Sequence, residues 1–116
     1  MTYELVYSER AKRDLIRAAE YISRDAPEAA QRWFEGFVAA LETLRTNATV
    51  FGLAPESKHA SAEVRQLIYR TKSRRANRAL YTIAGSAVYI LAIRRPGQDL
   101  LTEEELSLAI ADAELE

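Results

Sequence analysis

Apolar positions along this chain change their period several times. Over Thr2–Tyr7 they alternate, putting Tyr3, Leu5 and Tyr7 on one side, as in a short strand. From Glu9 to about Asp25 the spacing becomes helical. Ala11, Leu15, Ala18 and Ile22 form a stripe, with Arg10, Arg13, Arg17, Glu20 and Arg24 on the wet side. Ser8 stands at the N-cap position, and Glu9 in the first turn suits the helix dipole. Pro27 ends this helix and opens the next, since proline is tolerated in a first turn. The second helix is expected from Pro27 to about Arg45, with Ala30, Phe34, Phe37, Val38, Leu41 and Leu44 on its apolar stripe. Two such helices joined by a tight turn form an antiparallel hairpin that needs a further element over its apolar face.

Thr46 to Ala62, with Asn47, Gly52, Pro55, Ser57 and Ser61, reads as a loop with room for a turn of helix. Val64–Arg70, Ala76–Ala84 and Ala87–Arg94 are rich in Val, Ile, Leu and Tyr. Ser73-Arg74-Arg75 and Gly85-Ser86 separate them, which predicts two successive hairpins, an antiparallel meander. The first strand is expected at the other edge or paired back into the same sheet. Thr102-Glu103-Glu104-Glu105 is a capping box, and Leu106, Ile110 and Ala113 continue it as a short helix that needs docking to be stable. The order β-α-α-β-β-β-α defines an α+β fold: an N-terminal strand, a two-helix hairpin, a three-stranded meander completing one sheet, and a C-terminal helix. Residues 1–99 are read as one domain and residues 100–116 as an acidic helical tail.

Composition removes several classes of function. With 116 residues, 48% apolar, the chain can bury a core without disulfides or metal. It has no cysteine, so disulfides, thiolate nucleophiles and cysteine-based zinc sites are excluded. His59 is the only histidine, without a second imidazole or thiolate to make a metal site, and a surface role is expected for it. Trp33 is expected to pack in the core or at the hairpin edge. No P-loop, dinucleotide fingerprint, zinc-protease motif or paired-carboxylate pattern is present, and no cofactor is expected. No apolar run is long enough to span a membrane, and Met1-Thr2-Tyr3-Glu4 lacks a signal pattern, so a cytoplasmic address is expected.

Charge adds the candidate chemistry. Between Val64 and Gln98 lie eight basic residues and no acid: Arg65, Arg70, Lys72, Arg74, Arg75, Arg78, Arg94 and Arg95. Residues 99–116 hold seven acids and no base, so the net charge of −1 hides a basic segment followed by an acidic one. The meander is expected to gather several of these guanidinium groups at one sheet edge, as a partner-binding surface. Arginine forks bind phosphate or carboxylate, so nucleic acid and acidic protein both qualify. Tyr69, Tyr81 and Tyr89 offer rings for base stacking, although strand tyrosines are more often packing residues.

Three stretches, taken in order, resemble the RelE/ParE superfamily of type II toxin–antitoxin toxins. The first is Tyr7-Ser8-Glu9-Arg10-Ala11 running into Asp14-Leu15 and Tyr21-Ile22. The second is Pro27-Glu28-Ala29-Ala30 with Phe34 and Leu41. The third is Val64-Arg65-Gln66-Leu67, Asn77-Arg78-Ala79-Leu80-Tyr81 and Val88-Tyr89-Ile90-Leu91-Ala92-Ile93-Arg94. The resemblance implies a toxin neutralised by a cognate antitoxin that covers its sheet and helix hairpin, in a hetero-oligomer. It also implies one of two targets: DNA gyrase, inhibited by binding in ParE-like members, or mRNA on the ribosome, cut without metal by RelE-like members. A third reading is an inactive toxin-fold module that only binds antitoxin.

The chain fits the ParE-like branch better. Metal-free RNA cleavage needs a proton acceptor, a proton donor and cations on the phosphate. A nuclease here would have to draw on Arg65, Arg78 and Arg95 as cations, with Lys72, Tyr81 or Tyr69 as acid–base groups. RelE-like enzymes commonly place a His or Tyr near the end of the last strand, where this chain reads Arg95-Pro96-Gly97-Gln98-Asp99. The acidic tail departs from the usual family pattern. It is expected either to be a solvated helix or to fold over Arg65, Arg78 and Arg95 and shield them.

Overall fold

The computed structural model describes residues 2–71 and 76–114, with side chains through residue 113. The elements are β1 (Glu4–Tyr7), α1 (Glu9–Ser23), α2 (Pro27–Glu42), α3 (Leu44–Asn47), a 3-10 turn (Pro55–His59), β2 (Arg65–Arg70), β3 (Ala76–Ala84), β4 (Ala87–Arg94) and α4 (Glu103–Glu114). The strands form one sheet in the order β1-β4-β3-β2. The meander β2-β3-β4 is antiparallel as expected. β1 takes the other edge, running parallel to β4 from Glu4↔Ala87 to Tyr7↔Ile90. The helices between them carry the chain back far enough to permit that direction.

Ser8 joins this edge to α1. Its Oγ accepts from the Ala11 N–H at 3.0 Å, capping the helix, and donates to the Leu91 carbonyl at 3.0 Å. One turn further on, the Asp14 carboxylate accepts from the Ile93 N–H at 3.0 Å. The short β1 thus leaves no bare β4 edge at these positions, because α1 side chains supply the missing partners.

The hairpin of α1 and α2 covers one sheet face, burying Ala11, Leu15, Ala18, Phe37 and Leu41 against Leu67, Ala79, Tyr81, Val88, Ile90 and Ile93. Two expectations for α2 need correction. Trp33, not Phe34, enters the core: Trp33 is 5% exposed and Phe34 37%. A step of one residue turns the side chain by about 100°, and the two aromatic neighbours cannot both face inward. Nor does α2 continue to Arg45. It ends at Glu42, where Thr43 bonds its hydroxyl to the Ala40 carbonyl at 2.6 Å, and α3 restarts as a single turn.

The other sheet face has its own core. Strand β4 carries a bulge: Leu80 pairs with Ala92 but Tyr81 with Ile90, so Leu91 is the extra residue. Val88, Ile90 and Ile93 can therefore face the hairpin while Leu91 and Ala92 both join the opposite cluster. There α4 docks through Leu106, Ala109, Ile110 and Ala113. Its capping box forms, with Glu105 N–H on Thr102 Oγ1 and Thr102 N–H on Glu105 Oε1, each at 3.1 Å. Among the described residues no acid of this segment pairs with Arg65, Arg78 or Arg95. Its apolar side drives the docking, and among the described residues its one ion pair joins Glu105 to Arg10 at 3.5 Å.

Candidate functional site

The basic segment is divided by the pleat. Arg78 and Arg94 sit directly opposite each other on β3 and β4, on the face that carries α4. Like charges so placed repel, and acids distant in sequence offset this. Glu56, from the 3-10 turn, takes both terminal nitrogens of Arg78 at 2.9 Å. Arg94 donates to the Asp99 carbonyl at 2.5 Å. Burial, and then Arg10 nearby, hold its pKa below the ordinary guanidinium value, while Asp14 and Glu105 oppose them. Arg65 lies at the opposite end of β2 from Arg70. It donates to the Phe51 carbonyl at 2.6 Å and approaches Glu63 at 3.7 Å. Among the described residues Arg65, Arg78 and Arg94 do not join one cationic rim. The absence of acids within residues 64–98 said nothing of the acids folded against them. Lys72, Arg74 and Arg75 lie outside the described residues.

Two of the eight, Arg70 and Arg95, do meet, in a cleft of about 780 Å³ at the turn end of the helix hairpin. Arg32 of α2 joins them, and Tyr21, Trp33 and Tyr69 supply aromatic walls. Among the described residues the lining includes no Asp, Glu or His. Local sequence sets this geometry. Pro96, and Gly97 with φ at 82°, make a turn closed by the Gln98 N–H on the Arg95 carbonyl at 3.2 Å. The Gln98 side chain accepts the Arg95 N–H at 2.7 Å. The turn brings the Arg95 guanidinium over the Tyr21 ring, 5.0 Å from its centre, and Arg24 approaches the same ring at 5.9 Å. Tyr21 stays half-exposed between them. Inside, Trp33 donates to Asn77 Oδ1 at 3.2 Å, and Phe37 bridges Trp33 and Tyr69 with ring centres 5.4 and 4.9 Å away.

Sequence reading missed Arg32 and Tyr21. The available signal was their shared place near the helix turn, next to Arg24. Gly36 was missed as well. It faces the Tyr69 hydroxyl so closely that any Cβ there would clash with it.

Of the described residues available to a nuclease, Tyr69 shares the cleft with Arg95, but Arg65, Arg78 and Tyr81 do not join them. Arg65 and Tyr81 pair across β2 and β3 at one end of the sheet. Arg95 lies beyond β4 at the other end, and Arg78 is engaged by Glu56 on the opposite face. Tyr81 is fully buried, donates to the Ala48 carbonyl at 2.7 Å, and has its pKa pushed up by burial to about 12. A phenol so held neither gives nor takes a proton readily at neutral pH. Among the described residues no cluster of three or more His, Asp or Glu is placed to hold a metal ion. No described helix is long and apolar enough to cross a membrane.

Comparison with known proteins gives the same fold. A solved chain from the chromosomal ParDE TA system from P. aeruginosa superposes with a TM-score of 0.65 at 24% identity, over 82% of this chain and 97% of that one. No curated protein sequence matches. The family described as ParE toxin of type II toxin–antitoxin system, parDE, matches residues 5–100. A mixed four-stranded sheet under a long helix hairpin gives this molecule an α+β fold. The chain belongs to the ParE toxin family.

Proposed function

We propose that this chain is the toxin of a type II toxin–antitoxin pair, held by a cognate antitoxin, and that it arrests growth by binding DNA gyrase in the cytoplasm. The observation that carries the reading is the cleft with Arg32, Arg70 and Arg95 over aromatic walls and no acid or imidazole among its described lining residues. Such a surface binds carboxylate-bearing and apolar side chains together, which suits an acidic polypeptide. Among the described lining residues no carboxylate or imidazole stands beside the Tyr21 and Tyr69 phenols to serve as the general base that hydrolysis or transesterification would need. The antitoxin is then an acidic chain whose C-terminal part enters the cleft, and neutralisation is occupation rather than chemical inactivation.

The test is expression with and without the neighbouring antitoxin gene, followed by gyrase supercoiling and mRNA integrity assays in parallel. Loss of supercoiling with intact mRNA is expected. Cleavage of mRNA in ribosomal A-sites would replace this reading with the nuclease. Inertness in both assays, with antitoxin binding kept, would leave an inactive module.

A further inference from the structure

The outer surface of the helix hairpin carries an apolar seam that the fold does not use. A groove of about 330 Å³ runs between α1 and α2, lined by Ile16, Ala19, Ala30 and Phe34, with the polar Glu20, Ser23 and Gln31 along it, so that one acid of α1 stands between the seam and the arginine stripe. Ile16 is 54% exposed and Phe34 37%. This is the aromatic position that helical spacing alone would have buried.

The seam is flanked by stripes of opposite sign. At about 100° per residue, Arg13, Arg17 and Arg24 fall on the solvent side of Ile16 along α1 and its C-cap. By the same geometry Glu28, Glu35 and Glu42, seven residues apart, fall on the solvent side of Phe34 along α2. All six are exposed. Glu42 is paired with Arg45, Glu35 accepts only from Gln31, and Arg13, Arg17 and Glu28 make no ion pair among the described residues.

We infer that this face joins two copies of the chain about a two-fold axis parallel to the hairpin, seam on seam, with the Arg stripe of each α1 over the Glu stripe of the other copy's α2. The charge order selects both occupant and axis. A two-fold axis across the hairpin would set arginine on arginine and glutamate on glutamate. A partner helix of one sign would be attracted by one stripe and repelled by the other. Only a surface with both signs in mirrored order matches, and the chain itself carries one, as an isologous interface requires. Because the groove sets Ile16 beside Phe34, Arg17 lies within one turn of Glu35 and Arg24 within one turn of Glu28. The axis keeps those levels, so both pairs can form across the interface.

Sedimentation equilibrium of the purified full chain, over a wide concentration range at low and high salt, tests this. Mass should rise with concentration from the 13.1 kDa monomer toward a dimer, less so at high salt. Arg17→Glu or Glu35→Arg alone should weaken association about tenfold, since each creates two symmetry-related repulsions. The two together should restore it. Phe34→Ser should abolish it, with an unchanged far-UV spectrum showing that the fold survives. A monomer at every concentration would overturn the inference. So would a doubly swapped chain as weak as the sum of its singles, or association that Phe34→Ser leaves intact.

Discussion

Arg78 grips Glu56 through both terminal nitrogens, Nη1 to Oε1 and Nη2 to Oε2, each at 2.9 Å. The Glu56 side chain is fully buried. Gln66 accepts a further bond from Arg78 at 3.0 Å, and the Leu101 N–H reaches Glu56 at 3.2 Å. Four parts of the chain therefore meet at one ion pair: the 3-10 turn, β2, β3 and the entry to α4. Arg78→Met would strand a buried carboxylate and is expected to cost about 3–5 kcal/mol. Combining it with Glu56→Gln, which keeps the acceptor but removes the charge, should cost much less. Urea denaturation measures both, and a single variant as mild as the double would show that the carboxylate is not desolvated.

The same pair gives the fold an acid-labile component. Burial alone would raise the Glu56 pKa, but the Arg78 hydrogen bonds, with backbone N–H groups of Glu56 and Leu101, hold it below the ordinary 4.5. A carboxyl depressed in the folded state stabilises it above its unfolded pKa, and that stability is lost as pH falls through the folded value. Stability should therefore fall with decreasing pH below about 4.5, and the Glu56→Gln chain should show a shallower slope there. Parallel slopes in thermal melts across that window would assign the acid sensitivity to other carboxylates.

Elements closed by local chemistry were legible in the sequence. The bounds of β3 and β4 follow from Gly85-Ser86, and the starts of α1 and α4 from Ser8 and the Thr102–Glu105 box. What escaped depends on contacts across the fold. The Leu91 bulge makes β4 change its facing pattern, which no alternation rule anticipates. Glu56 is buried because Arg78 needs a counter-charge, although its own segment reads as an ordinary polar loop. Arg70 and Arg95 line one cleft, yet reading strands without faces could not separate them from Arg78 and Arg94.

Tyr81 offers a clean separation of stability from action. Its hydroxyl ties the sheet to the Ala48 carbonyl at 2.7 Å. Tyr81→Phe leaves a buried acceptor unpaired and is expected to cost about 1–3 kcal/mol. Growth arrest per folded molecule should be unchanged. A toxin that stays fully folded but loses its effect on growth would instead give this phenol a chemical role.

Gly36 makes the sign of a prediction depend on a second residue. In a helix interior, Gly→Ala is usually favourable by about 1 kcal/mol. Here the new methyl meets the Tyr69 hydroxyl, whose ring is stacked on Phe37 at 4.9 Å and cannot simply swing away. Gly36→Ala is therefore expected to destabilise by about 1–2 kcal/mol. Adding Tyr69→Phe should recover most of that loss. Denaturation midpoints of the four chains form a double-mutant cycle, and additive effects would mean that the two side chains do not meet.

The cleft arginines should differ from the engaged ones in how their loss reads out. Arg32, Arg70 and Arg95 share one opening with Tyr21, and among the described lining residues no acid draws them away from a partner. Arg95→Ala removes both a cation and a cover from the Tyr21 ring, which Arg95 approaches at 5.0 Å. If an acidic antitoxin segment occupies the cleft, this substitution should weaken its binding by about 1–3 kcal/mol. It should also reduce the dependence of affinity on salt, with little change in melting temperature. Arg65→Ala, which loses the bond to the Phe51 carbonyl, should do the reverse: lower the melting temperature and leave the salt dependence unchanged. Isothermal titration with the antitoxin at two ionic strengths, beside thermal melts of the same chains, decides between them. An Arg95→Ala toxin that binds antitoxin with undiminished affinity and salt dependence would place the antitoxin elsewhere on the molecule.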